Sequence, residues 1–570
     1  MNRIQINKEN IKLSIDDTLV NADTMYVFSG EIDLAEAVVR IPEGCVLQFE
    51  EGAKITNGTL ALSNTRMIGA KHCIATEVSG IQEELDSDYF DLTLTNKTSV
   101  MQSIVNTASI VQLHGHLENV FDNIEIGGKE ITLVGNGATI VNTSVRASAI
   151  TITDNNFVRI IDLDFSISSG YAIYKNVSPT TTTYLSFMID RCHFVSTGSS
   201  STAIIQLLGS REGNITNCFF EGSGKTGCIG INRQNAVNTN VIGCMFSNLS
   251  YGIKAIGVKT SLDSSSELYS IFACGLNVQS AVMLGCKYGI YIEGNDSFFL
   301  NNSMIDFCDN PLVLISQDGA NITNNYFSTS TVYNDYAATI TVRNNSSKGT
   351  ANRNQRIIIS GNTIYGHRTT NNYGIEMDVA SKDCTIQGNT INFCIGYGIY
   401  LMNAYSWSTE KLLIDNNRLY FTSNGSVGIG SNSYTGSEQI VLSRNCAYAQ
   451  NYTNCKLVEA GSSAHGSYVY HNNRIRSSAS APTSGDNEPQ FFWEKQKSTT
   501  RLKFNLTFSA SATEMYITNP LSDAQTIVYV GNNKAAICVK SVDASRIYFT
   551  KNSTTDAVSF IAVIELMNNI

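Results

Sequence analysis

Through the middle of the chain one short pattern recurs: an apolar residue, two further residues, Asn or Cys, any residue, and a second apolar residue. It reads Ile189-Asp-Arg-Cys-His-Phe194, Ile215-Thr-Asn-Cys-Phe-Phe220, Val241-Ile-Gly-Cys-Met-Phe246, Ile322-Thr-Asn-Asn-Tyr-Phe327, Ile359-Ser-Gly-Asn-Thr-Ile364, Ile386-Gln-Gly-Asn-Thr-Ile391, Ile414-Asp-Asn-Asn-Arg-Leu419 and, in a degenerate copy, Val441-Leu-Ser-Arg-Asn-Cys446. The first positions are separated by 26, 26, 81, 37, 27, 28 and 27 residues, and the long gap holds weaker copies near Val282 and Leu300. A second apolar pulse follows several of these: Tyr251-Gly-Ile-Lys254, Tyr288-Gly-Ile-Tyr291, Tyr373-Gly-Ile-Glu376, Tyr397-Gly-Ile-Tyr400 and Val427-Gly-Ile-Gly430. Two alternating strand signals per period exclude the helical repeats and make each period one coil of a parallel β-solenoid. Coils lie about 4.8 Å apart, so residues 131–475 predict about thirteen coils and a rod of roughly 60 Å, with equivalent positions stacked in columns.

The column three residues after the leading apolar position is Cys192, Cys218 and Cys244 in three coils and Asn325, Asn362, Asn389 and Asn417 in later ones. Stacked Asn side chains hydrogen-bond from coil to coil and tolerate the bend between strands, so this column predicts a turn ladder. The three Cys read as buried packing, with metal ligation as the alternative.

Outside the repeat the pattern changes. Val39 to Phe49, Gly52 to Leu60 and Met67 to Ala70 are short apolar pulses divided by Gly and Asn, which predict a capping segment of small coils over residues 1–98. Ser99-Val-Met-Gln102 has the form of a capping box, and Met101, Ile104, Val105 and Ala108 follow at helical spacing, so one helix is expected over about 99–108. Residues 99–476 would form the solenoid, with Ile124 to Ile140 as its first full coil. A Ser/Ala/Pro/Gly linker over 477–490 leads to residues 491–570, where six runs between Leu502 and Leu566 predict antiparallel strands, a small sandwich-like domain. Eighty residues form a small core, so burial against other copies of the chain is expected there.

Composition restricts function. The chain of 570 residues is 42% apolar but only 15% charged, has 58 Asn against 6 Pro, and carries a net charge of −10 without a Lys/Arg run. A phosphate backbone demands a concentrated basic face, so no nucleic acid is expected as a partner. The 14 Cys lack the paired spacings of a disulfide framework or zinc ribbon. The N-terminus begins with polar residues rather than a signal core, and no apolar stretch approaches 18 residues, so cytosolic synthesis without membrane insertion is expected.

Ile41-Pro-Glu-Gly44, Leu47-Gln-Phe49 and Thr56-Asn-Gly-Thr-Leu60 come first, followed by the helix, Ile131-Thr-Leu-Val-Gly-Asn-Gly-Ala-Thr-Ile140, the Asn-rich coils and a β-rich C-terminus. This order resembles phage tail spikes and tail fibres with a pectin-lyase-like fold, and the Ile41 to Leu60 stretch resembles the cap of tail proteins from phages and prophages of gut Bacteroidetes. The resemblance implies an all-β chain built on a right-handed parallel β-helix, assembled as a homotrimer in the phage tail of the virion beside other tail or baseplate proteins. It also implies recognition, and in many members cleavage, of a bacterial surface polysaccharide. The alternatives are a non-catalytic structural fibre or adhesin, and a secreted pectin-lyase-fold enzyme that degrades polysaccharide.

A packed solenoid presents chemistry on the outward side chains of its faces. Strand alternation puts Ile375 and Met377 inward and Glu376 and Asp378 outward, with Cα atoms about 6.6–7 Å apart, a spacing within reach of a glycosidase's two carboxylates. These are the candidate catalytic residues, against the plainer reading of a solvated ion-pair cluster. The same alignment sets Arg343 beside Asp378 and Tyr400 beside Glu376. Tyr373, Tyr405 and Trp407 offer rings on which a sugar can stack. Glu293, aligned with Asp378 lower in the stack, is a second binding candidate, with Asp296, Asp306 and Asp309 near it. His367 and Arg368, and excursions at Lys259 to Glu267 and Asn344 to Asn354, read as loops. No acidic cluster has the ligand count of the Ca²⁺ site a lyase would use, so any cleavage is expected to be hydrolysis rather than lyase chemistry, without metal or cofactor, and whether the chain cleaves at all is left open.

Overall fold

The computed structural model describes residues 1–9, 19–143, 148–153, 157–177, 187–199, 202–257, 273–331, 335–345, 354–367, 373–402, 410–431, 440–449, 452, 455–460, 468–471, 473–477, 492–496, 499–508, 514–518, 526–531, 537–542, 546–551 and 558–567. Contacts divide the chain into two compact units, residues 1–354 and 355–570.

In the first unit the N-terminal pulses are parallel strands. Asn2–Ile6, Thr24–Phe28, Val46–Phe49 and Arg66–Gly69 form a four-stranded sheet, and Lys54–Ser63 pairs with Ile74–Asp86 in register from Ile55 on Ile74. The single α-helix among the described residues is Lys97–Thr107, with Met101, Ile104 and Val105 buried as its spacing requires. Its cap differs from the expected box. Asn96 is the N-cap without a side-chain bond, while Ser99 Oγ donates to the Asn96 carbonyl at 2.9 Å and Gln102 holds Asn106 and Glu125. Ser99 and Gln102 both lie inside the helix, where they serve neighbouring groups.

Each coil has three strands, one more than the apolar pulses disclose. The recurring motif spans the corner between the first two strands of a coil, as in Phe187–Asp190 and His193–Ser196, and the Gly-Ile pulse is the third, as in Tyr251–Ile256. The first full coil is Ala108–Leu113, His116–Glu118 and Ile124–Ile126, one coil earlier than expected. From it the first unit stacks nine three-stranded coils up to Arg343. The long gap holds two further coils. Val241, Val278, Leu300 and Ile322 are consecutive partners, so Leu300 is a leading position and Val278, four residues before Val282, is the other.

The columns show why these residue types recur. The leading position is Ile, Val or Leu facing inward, with Ile189, Ile215, Val241 and Val278 all buried. The motif's last residue builds a ring column inside the second sheet. Phe165, Phe194, Phe220 and Phe246 stack with centroids 4.8, 4.9 and 4.6 Å apart, the spacing that parallel pairing imposes. The residue before the Asn/Cys column turns with positive φ at Arg191, Asn217, Gly243, Ser280, Asn302 and Asn324, a conformation Asn and Gly tolerate best. Gly in the Tyr-Gly-Ile pulse answers to close packing, since a Cβ on Gly289 would stand 2.5 Å from the Pro311 carbonyl oxygen and 2.6 Å from Ile305 Cγ2. The thiols of Cys192, Cys218 and Cys244 are buried against backbone carbonyls. The neighbouring thiols and burial push Cys218 and Cys244 up, so both stay protonated.

The second unit continues the three-strand plan from Gln355–Ser360, through four full coils and the further strands Tyr468–His471 and Arg474–Ser477. Its Asn column is a complete ladder. Oδ1 of Asn389, Asn417, Asn445 and Asn473 accepts the main-chain N–H of the preceding ladder Asn at 3.0 or 3.1 Å and its Nδ2 at 2.9 or 3.0 Å. The Nδ2 groups of Asn389, Asn417, Asn445 and Asn473 donate to the carbonyls of Ile359, Ile386, Ile414 and Leu442. The ladder corrects the last motif: Ile414 pairs with Leu442, so that copy begins at Leu442, one residue later than read, and Asn445 is its ladder residue. The C-terminal strands are antiparallel, as expected. Phe492–Gln496, Thr499–Phe508, Val558–Met567 and Thr526–Gly531 form one sheet, and Glu514–Thr518, Arg546–Lys551 and Ile537–Val542 the other. The linker 478–490 lies outside the described residues. Among the described residues no helix is long and apolar enough to cross a membrane.

Candidate functional site

On the outer face of the third sheet in the first unit, four tyrosines gather around two carboxylates. Tyr251 and Tyr288 open successive Gly-Ile strands and are register partners, so their rings stack at 4.5 Å with 5° between planes. Tyr291, three residues on and pointing outward, stands edge-on to both, 5.8 and 5.7 Å away. The strand above, Asn310–Ile315, turns Val313 and Ile315 outward beside Tyr291 and Glu293. Both are buried in one cluster with Tyr288, with Tyr251, Tyr291 and Tyr336 packed against it. Outward apolar residues are thus roofed by rings rather than by a further sheet.

Charged groups rim these rings. The Tyr288 hydroxyl donates to Asp335, whose Oδ2 also lies 3.1 Å from Lys287 Nζ. That hydroxyl and the Lys287 ammonium hold the Asp335 carboxyl below the usual carboxylate range. The Tyr291 hydroxyl donates to Glu293 Oε2 at 3.1 Å, and Asn345 Nδ2 donates to Oε1 at 3.2 Å. Burial first, then the adjacent carboxylates, pushes the Tyr288 and Tyr291 phenols up, so both remain donors across the physiological range. Arg343 lies over the Tyr336 ring, 4.8 Å from its centroid. The face combines flat apolar rings with fixed acceptors and two cations, an arrangement suited to the C–H faces and hydroxyls of a sugar.

Glu293 and Arg343, both singled out from the sequence, belong to this face. Arg343 lies in the first unit, over the Tyr336 ring, and Asp378 in the second. Asp296, Asp306 and Asp309 do not gather at Glu293. Asp296 is on the first sheet, Asp306 is on the second and takes Ser328, and Asp309 is buried against Lys225 and Ser330. Tyr251, Tyr288, Tyr291, Asp335 and Tyr336 escaped the sequence reading as site residues. The repeated Tyr before Gly-Ile was available as a signal, because equal residues at equal coil positions must stack; Asp335 and Tyr336 follow no repeat.

In the second unit Ile375 and Met377 face inward as expected, and Glu376 stands in register with Tyr400. Glu376 and Asp378 are not on an open surface, however, being 2% and 0% exposed. The solvated ion-pair reading falls with that exposure. Asp378 ends its strand, with Oδ1 accepting the Ala380 N–H at 3.0 Å and its carbonyl accepting Ser381 Oγ at 2.6 Å. Beside the pair, Tyr373, Tyr397 and Tyr400 form a second aromatic cluster with centroids 4.9–5.4 Å apart. His367 is half-buried. Tyr405, Trp407, Arg368 and the Lys259 to Glu267 excursion lie outside the described residues, as does most of the Asn344 to Asn354 excursion.

No family model and no curated protein matches the chain. Among solved structures it is similar to tailspike protein 3 of bacteriophage CBA120, with 14% identity and a TM-score of 0.41 over 70% of this chain and 63% of that one, so it spans less than two thirds of that spike. It is also similar to a double-mutant tailspike of the E. coli bacteriophage HK620 in complex with a pentasaccharide, with 13% identity and a TM-score of 0.39 over 93% of this chain and 86% of the other. A third is the catalytic domain of a GH87 α-1,3-glucanase in complex with nigerose, with 11% identity and a TM-score of 0.39 over 66% of each chain. The solved structures similar to this chain thus include phage tailspikes and a glucanase.

Proposed function

We propose that the protein is a phage tail spike that binds a bacterial surface polysaccharide on the outer face of its third sheet. The observation that carries this reading is the tyrosine face of Tyr251, Tyr288, Tyr291 and Tyr336 with its Asp335, Glu293, Lys287 and Arg343 rim. The partly exposed rings of Tyr251, Tyr291 and Tyr336, held in place by the buried Tyr288, give a pyranose an apolar surface, and the carboxylates, already oriented by phenol donors, accept from sugar hydroxyls at little ordering cost. Assembly as a homotrimer and a place in the virion beside other tail proteins belong to the same proposal.

Hydrolysis is assigned within this reading to Glu376 and Asp378. They lie on one face of one strand next to the Tyr373, Tyr397 and Tyr400 rings, two carboxyl groups as acid-assisted glycoside cleavage requires, and because both are buried, cleavage here requires that substrate binding opens a way to them. Tyr373 and Tyr400 remain the proposed substrate contacts beside the pair, with Arg343 and Glu293 on the first face. The test incubates the protein with capsular polysaccharides from candidate hosts and records bound polymer, product size and oligomeric mass. Binding that Tyr288→Ala and Tyr291→Ala each weaken at least tenfold supports the face. Short oligosaccharides released by the wild type but not by Glu376→Ala/Asp378→Ala support the pair, while release by both moves the chemistry elsewhere. Binding unchanged in the tyrosine variants removes the face as the receptor site.

A further inference from the structure

The outer face of the first sheet carries a different arrangement. Asn214, Asn240 and Asn277 occupy one outward column on successive coils. Their amides form a ladder, Asn277 Nδ2 donating to Asn240 Oδ1 at 3.2 Å and Asn240 Nδ2 to Asn214 Oδ1 at 3.0 Å. Such a ladder extends itself wherever the next coil supplies another amide. Here the next residue in the column is Phe299 and the one after it is Asn321. The ring ends the ladder at Asn277 and leaves a cost on its other side, at Asn321. Among the described residues no donor reaches Asn277 Oδ1, and Asn321 Oδ1 is buried without a partner. Phe299 meanwhile leaves 46% of its surface in solvent. A residue that interrupts a self-satisfying column and gains little burial has no packing explanation.

The surroundings of Phe299 form a groove of 540 Å³ lined by Asn238, Asn240, Gly275, Asn277, Gln279 and Asn301. Its floor is cut by Gly275, which has φ +64° and whose missing Cβ would stand 2.2 Å from Asn238 Oδ1. No charged side chain lines it, and the neighbouring Glu212 carboxylate is engaged by Asn238 Nδ2 at 2.8 Å. One exposed ring, the open Asn277 acceptor and further amides offering both donors and acceptors match the C–H face and hydroxyls of a sugar ring. The absence of a cation in the lining leaves nothing to neutralise a carboxylate or sulfate.

We propose that the Phe299 groove is a second saccharide subsite, specific for uncharged sugar units and separate from the tyrosine face of the third sheet. It deepens the polysaccharide-binding reading and rests on it. The two faces would then hold different parts of one chain or branch: neutral units on Phe299, units of either kind on the charged rim of Tyr288 and Asp335.

Saturation-transfer NMR on the full chain tests the subsite with cellotriose, maltotriose, chitotriose and trigalacturonate as probes, against the wild type, Phe299→Ala, Asn277→Leu and Tyr288→Ala. The expected result is transfer to at least one neutral trisaccharide, reduced at least fivefold by Phe299→Ala and by Asn277→Leu and retained in Tyr288→Ala. Any trigalacturonate signal should be untouched by Phe299→Ala. Phe299 is exposed, so a melting curve coincident with the wild type shows that its truncation leaves the coil intact. Neutral-sugar signals that survive Phe299→Ala overturn the subsite, and a trigalacturonate signal lost with Phe299 overturns its preference for uncharged units. Binding that depends on Tyr288 but not on Phe299 sinks this inference and leaves the proposed function standing. Silence from every probe, with no capsular polysaccharide bound, sinks both.

Discussion

At the scale of single residues, the buried amides of the second unit carry more than their size suggests. Asn417 is fully buried and uses its side chain four times, accepting from the Asn389 N–H and Nδ2 and donating to the Ile386 carbonyl and Asn445 Oδ1. Asn417→Ala strands several buried groups at once, each worth about 1–3 kcal/mol. We expect a loss of at least about 3 kcal/mol in urea unfolding; a loss under 1 kcal/mol would show the ladder to be incidental. Lys129 gives a pH signature. Its ammonium reaches the Ala108 carbonyl and burial lowers its pKa to about 8, below the unfolded value near 10.4. The unfolded chain therefore binds more protons between pH 8 and 10.4, so this group makes stability rise with pH across that window. Discounted for a half-exposed group, the gain is on the order of 1 kcal/mol. Lys129→Met should abolish the increment in paired melts at pH 8 and 10, and a variant that keeps it would refute the assignment. Residue-scale chemistry was only partly legible beforehand. The Asn column was readable because it repeats, and Glu293 because strand alternation turns it outward. Asp335 and Tyr336 reach the tyrosine face from a connecting stretch that follows no period. The burial of Glu376 and Asp378 was equally hidden, since alternation tells which way a side chain points and says nothing of what covers it.

At the scale of elements, the motif fixes where strands bend and which residues stack. Ile189, Phe194 and their successors mark the inner columns, and pairing confirms those registers coil after coil. The first two strands of each coil were merged into one in the reading because the corner at the Asn/Cys position lies inside one continuous apolar pulse. The helix was found from Met101, Ile104 and Val105, but its cap was misplaced because Ser99 and Gln102 match a capping box in sequence while Asn96 starts the helix. The Phe ladder makes an element-level prediction. Phe220 is fully buried between Phe194 and Phe246, so Phe220→Ala opens a cavity between two coils and should cost about 3–5 kcal/mol. Phe220→Leu should recover much of this, as read by denaturant midpoint. Equal destabilisation by Leu and Ala would mean that ring stacking outweighs filled volume.

At the scale of the whole molecule, the low charge and abundant Asn of the composition become intelligible. Parallel coils repeat every outward position at one strand spacing, and like charges stacked at that distance repel, whereas amides bond to one another. Much of the outer surface thus becomes polar without becoming charged, and two departures from that pattern are where a ligand would sit: rings with Asp335, Glu293, Lys287 and Arg343 on the third sheet, and Phe299 within amides on the first. Architecture was legible from periodicity because every coil repeats the same physical problem. The site was less so because binding surfaces are made by departures from the repeat. The most direct measurement of the central claim is a crystal structure of the protein with an oligosaccharide prepared from a capsular polysaccharide that it binds. The account predicts a pyranose ring lying against Tyr251, Tyr291 or Tyr336, with a hydroxyl on Asp335 or Glu293. Sugar density found only away from the tyrosine face would contradict it.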